Sequence, residues 1–129
     1  MSQKPDLADL VNKFYAASAA GDFELTRSMM TDDFKITESE DLPFGGVYAG
    51  KGALEELYAK VMGMMNIAEL NHSHMMVGDG CVCCMVNLVP ASGGDPISLM
   101  ELFLFDGDKL AEIRPFYFNT ERVKQICGA

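Results

Sequence analysis

The chain has 129 residues and a formal net charge of −9, a size that fits one domain around one hydrophobic core. Apolar residues make up 49% and charged residues 22%, which excludes a disordered chain. Only ten Lys and Arg are scattered along it, too few for a basic patch that would grip nucleic acid or an anionic membrane, and no apolar run reaches the ~20 residues of a membrane span.

Met1 to Asp9 is polar and lacks the apolar stretch of a secretory signal. A cytoplasmic location is therefore expected. Cys81, Cys83, Cys84 and Cys127 form neither a CxxC pair nor a second ligand pair at zinc spacing. They read as reduced structural thiols, with a reactive Cys84 as the alternative. No metal is expected.

Apolar residues at Leu7, Leu10, Val11, Phe14 and Tyr15 have helical spacing over Asp6 to Ala20. Gly21 ends that helix. Asp22 caps a second, short one through Met30, with Phe23, Leu25, Met29 and Met30 expected inside. Thr31-Asp32-Asp33 breaks it. Phe34 to Glu38 alternates like a half-buried strand. Ser39 to Gly50 reads as a Gly-rich loop, and Lys51 to Met64 as helix.

Strand patterns follow. Ile67 to Val77 leads through Gly78-Asp79-Gly80, a hairpin signal, into Cys81 to Val89. Ile97 to Phe105 turns at Asp106-Gly107-Asp108 into Leu110 to Phe118. Thr120 to Cys127 closes the chain as a helix. Helices first and a four-strand antiparallel meander second predict an α+β fold. The sheet must curl to seat three helices. Ile97 to Phe105 is apolar on both faces, so its outer face needs cover, and a homodimer through the outer sheet face is the simplest supply.

Two carboxylates interrupt apolar rows. Glu38 shares a strand face with Phe34 and Ile36, and Glu101 shares one with Leu99, Phe103 and Phe105. A carboxylate in such a setting pairs, reaches solvent or takes a raised pKa. A pKa near neutrality suits a general acid or base. The plainer alternative puts Glu38 in water at a strand end and pairs Glu101 with Arg114.

His72 and His74 flank Ser73. A tight two-residue hairpin puts Ser73, Met75 and Val77 on the face of Val82, Cys84 and Val86, and both histidines on the other, unless a bulge reverses them.

Phe14 through Asp33, Gly50-Lys51-Gly52-Ala53, Phe105 to Leu110 and Ile113 to Tyr117 together resemble the nuclear transport factor 2-like superfamily. The nearest branches are the SnoaL-like polyketide cyclases and the ketosteroid isomerase-like proteins. The resemblance covers nearly all of residues 1–129, as one domain. It implies a cystatin-like cone: a strongly curved antiparallel sheet wrapped round N-terminal helices, with an apolar pocket and usually a dimer. It also implies two catalytic positions. The isomerase base falls on Glu38, counted from Asp32, and the protonated second carboxyl falls on Glu101, counted back from Asp106.

The pocket wall implied is Phe14, Phe34, Ile36, Tyr48, Cys84, Val86, Leu99, Phe103, Ile113 and Tyr117. Phe14 stands where the isomerases have a tyrosine, and Tyr15 lies about 100° further round an ideal helix. Arg114 is followed by Pro115, not by the Asp of limonene epoxide hydrolases. The expected activity is cofactor-free removal of a proton next to a carbonyl of an apolar small molecule, leading to isomerisation or cyclisation. The alternative is a noncatalytic dimeric module for a hydrophobic small molecule or a partner protein.

Overall fold

The computed structural model describes residues 5–128. Helix α1 (Leu7–Ala20) starts where the Asp6 side chain accepts from the Asp9 N–H, and ends at Gly21 in the left-handed region. The short α2 (Phe23–Ser28) is capped in the same way by Asp22. Strands β1 (Met30–Glu38) and β2 (Gly46–Ala49) follow, then α3 (Ala53–Met64). Strands β3 (Ile67–Gly78), β4 (Cys81–Pro90), β5 (Ile97–Asp106) and β6 (Lys109–Tyr117) form the expected antiparallel meander, and α4 (Thr120–Cys127) completes the order.

Three expectations are corrected. First, α2 stops at Ser28, and Met30 opens β1 rather than closing the helix. Asp32 and Asp33 do not break structure; they lie exposed within the strand. Leu25 is 45% exposed, and Thr26 takes the buried place. Second, the supposed loop of residues 39–50 contains β2, which pairs with β1 through Ile36 opposite Tyr48 and Glu38 opposite Gly46. Third, β1 lies parallel to β6, so the sheet is a mixed one of six strands in the order β2-β1-β6-β5-β4-β3.

The register aligns side chains in rows across the strands. Ile36, Ile113, Phe103 and Val82 make one buried row. Two residues further along come Pro115, Glu101 and Cys84. The parallel register continued from Ile36–Ile113 brings Glu38 level with Pro115. The two glutamates thus flank one proline, two strands apart, or about 10 Å between backbones. The next row holds Tyr117, Leu99, Val86 and His72.

Pro115 is unusual because β6 is an interior strand, and proline has no N–H to give a ladder. The β1–β6 pairing ends at Ile36–Ile113, before Pro115 is reached.

Candidate active site

A cavity of about 810 Å³ lies between the sheet and helices α1 and α3, within the range of small-molecule sites. Its sheet wall is Ile36, Glu38, Val86, Leu99, Glu101, Ile113, Pro115 and Tyr117. Its helix wall includes Phe14, Tyr15, Leu57, Tyr58 and Val61. The lining is mostly apolar, with the Glu38 and Glu101 carboxyls set into it and the exposed Glu69 at its edge.

Glu38 is only 4% exposed, and its Oε1 has no hydrogen-bond partner. This rules out the solvated strand end. Leaving a buried oxygen unsatisfied costs ~1–3 kcal/mol. Burial, reinforced by the charge of Glu101, pushes Glu38 up to about 8.

Glu101 does not pair with Arg114, whose guanidinium meets Glu112 on the other face of β6 at 2.8 Å. Glu101 instead accepts a hydrogen bond from the Tyr15 hydroxyl at 2.7 Å. Burial raises its pKa, and the Tyr15 bond works in the opposite sense. Burial and the neighbouring Glu101 hold Tyr15 far above its ordinary value, so it stays a neutral donor. Tyr15, one residue past Phe14, thus brings a hydroxyl to Glu101. Both side chains reach inward because α1 straddles Phe103: the Phe14 and Tyr15 rings each meet that ring edge-on, at 5.8 and 5.5 Å between centroids.

His72 reverses its expected facing. His74 and Met75 together oppose Cys84, a bulge between the Ser73–Met85 and Met76–Cys83 pairs, with His74 at φ 50°. The bulge turns Ser73 away and sets His72 at the cavity wall. Its ring stacks on Tyr15 at 4.2 Å, and its Nε2 lies 3.0 Å from Asn12 Oδ1. His74 remains exposed, as expected.

Of the expected wall, Phe14, Ile36, Val86, Leu99, Ile113 and Tyr117 line the cavity. Phe34, Phe103 and Cys84 are fully buried in the core behind it. Tyr48 is turned away and donates to the Phe44 carbonyl at 2.7 Å. Burial, with Glu101 adding to it, pushes the Cys84 thiol up to about 11, which keeps it protonated and weakens the reactive alternative. All four cysteines are free thiols.

The sequence reading missed Tyr15, Tyr58, His72 and Asn12. Tyr58 was findable, since it shares the apolar side of α3 with Leu54, Leu57 and Val61. Burial raises its pKa, with Glu101 adding to the shift, as burial does more strongly for Tyr117. Both remain neutral donors. Among the described residues, no three His, Cys, Asp or Glu side chains gather to hold a metal ion, and no helix is long and apolar enough to cross a membrane.

No family model matches the chain, and no curated protein does. Solved structures do. An NTF2-like protein of unknown function from Burkholderia pseudomallei superposes at TM-score 0.78 and 13% identity, covering 95% of this chain and 97% of that one. TerC, co-crystallised with polyporic acid, gives TM-score 0.79 at 15% identity, over 95% and 98%. A protein of unknown function with a cystatin-like fold from Xanthomonas campestris gives 0.75 at 17%, over 93% and 95%. The chain therefore has the NTF2-like, cystatin-like fold, as the resemblance implied.

The raised Glu38 pKa makes stability depend on pH. From the ordinary carboxyl range up to about 8, folded Glu38 keeps a proton that the unfolded chain has released. Stability is then lost as pH rises through this window, by an amount on the order of a few kcal/mol. The melting temperature is expected to fall between about pH 5 and about pH 8, with a shallower fall in Glu38→Gln. Equal slopes in the two proteins would place Glu38 in water.

Proposed function

We propose that the cavity binds an apolar carbonyl compound and that Glu38 moves a proton on the carbon next to the carbonyl. The observation that carries this is the pair of carboxyls facing one apolar cavity, one of them with a free oxygen. Ionised Glu38 takes the proton, and the C–H electron pair passes to the carbonyl oxygen as an enolate. Glu101, in the protonated form that burial favours, accepts from Tyr15 on Oε1 and offers its remaining oxygen's proton to that enolate. Tyr117 and Tyr58 are further neutral donors on the wall. Return of the proton to another carbon gives an isomer; attack of the enolate on a second carbonyl gives a ring. The carbonyl is the electron sink, so no cofactor is required. That TerC was co-crystallised with polyporic acid supports a small organic ligand for this fold.

The substrate class is tested with a β,γ-unsaturated octalone, a two-ring ketone whose conjugated product is followed by ultraviolet absorbance. The wild type is expected to isomerise it, Glu38→Gln to lose about 10³-fold, and Glu101→Gln about 10²-fold. The rate should rise with pH toward about 8 as Glu38 ionises. Undiminished turnover in Glu38→Gln removes it from the chemistry.

We also infer that a second copy covers the β3–β4 part of the outer face of the sheet, where Met76 and Met85 are 52% and 38% exposed. Light scattering is expected to give twice the chain mass, reduced to the single mass in Met85→Lys. A wild-type monomer would contradict this.

A further inference from the structure

Glu38 borders two spaces. One is the large cavity. The other is a separate crevice of about 290 Å³ lined by Thr37, Glu38, Ser39, Arg114, Phe116 and Thr120, together with Pro115 and Tyr117. Thr37, Arg114 and Phe116 belong to the outer face of the sheet, whereas Glu38, Pro115 and Tyr117 belong to the inner. The crevice therefore reaches Glu38 from the side opposite the ligand cavity.

Its origin is in the backbone. The β1–β6 ladder ends at Ile36–Ile113, and Pro115 has no N–H with which to continue it. Beyond that point no ladder pair joins the ends of β1 and β6, and the crevice lies between them, under the first residue of α4. Its volume is enough for several waters at ~30 Å³ each. Its wall is polar. Ser39 accepts from the Asp41 N–H, Thr37 donates to Glu112, and Arg114 pairs with Glu112, so hydroxyl and guanidinium groups remain to hold water. Glu38, more than nine-tenths buried, borders it, and one oxygen of that carboxyl has no partner in the protein.

We propose that this crevice is a water site that serves Glu38 from behind, so that its carboxyl exchanges protons with solvent while a ligand fills the main cavity. This rests on the reading of Glu38 as the base. The C–H bond breaks, the proton goes to a Glu38 oxygen and the electron pair to the enolate oxygen. The acid proton then exchanges with crevice water, and a solvent proton returns to carbon as the enolate collapses. No redox partner is involved. Without the crevice, a ligand seated over Glu38 would trap the proton, and the proton taken from one carbon would be the one delivered to the other.

Two measurements test this. In a high-resolution crystal structure of the free protein, ordered water is expected in the crevice within hydrogen-bond distance of the Glu38 carboxyl. A dry crevice overturns the proposal whatever the chain catalyses. In D₂O, the octalone product of the wild type is expected to carry deuterium at the new C–H. In Ser39→Leu/Thr120→Leu, whose side chains fill the crevice, that deuterium should give way to the substrate's own hydrogen. Protium in the wild-type product, or unchanged deuterium in the double variant, overturns the water route even if Glu38→Gln is inactive. If Glu38→Gln turns over normally, the role of Glu38 falls instead, and the crystallographic water alone decides the crevice.

Discussion

The hydrogen bond from Tyr15 to Glu101 joins the helix layer to the centre of the sheet at the floor of the cavity. Its consequences spread outward. It gives a buried carboxyl one partner, leaving a second oxygen for a ligand. It holds Tyr15 where His72 stacks on it and Asn12 in turn meets His72. Its acceptor, Glu101, also adds to the burial that raises Glu38. Glu38 has no such partner, and the contrast divides the roles: one carboxyl is positioned, the other is left open to exchange a proton.

The row through Cys84, Glu101, Pro115 and Glu38 explains why these groups coexist. Side chains on one face of neighbouring strands stand at fixed spacings, so two carboxyls two strands apart interact without touching. The proline between them places an apolar ring on the floor and removes a ladder donor. The same residue thus dries the inner side of the sheet and ends the pairing of β1 with β6 beside Glu38.

Much of this was legible in the chain. Alternation over Phe34 to Glu38 and over Leu99 to Phe105 placed both glutamates on apolar faces, and both line the cavity. Caps at Asp22 and Gly21 were readable because each uses a side chain or a φ that few residues supply. What was hidden depends on tertiary context. Strand β2 hides among glycines and Pro43 because its pairing with β1, not its own composition, makes it a strand. The β3 bulge inserts one residue with no distinctive signal, and that residue decides where His72 points. Tyr15 was set aside by an ideal helical angle, although α1 presents two adjacent aromatic residues to Phe103. Tyr48 looked like a pocket donor, but a carbonyl four residues away satisfies it.

The most direct test of a shared, enolate-shaped cavity is fluorescence binding of 2-naphthol, a flat phenol that imitates an enolate and whose emission reports its ionisation. The wild type is expected to bind it, Glu101→Gln to lose that binding, and Glu38→Gln to bind with an altered emission. No binding in any of the three, or binding indifferent to both substitutions, would contradict the placement of the two carboxyls around one ligand.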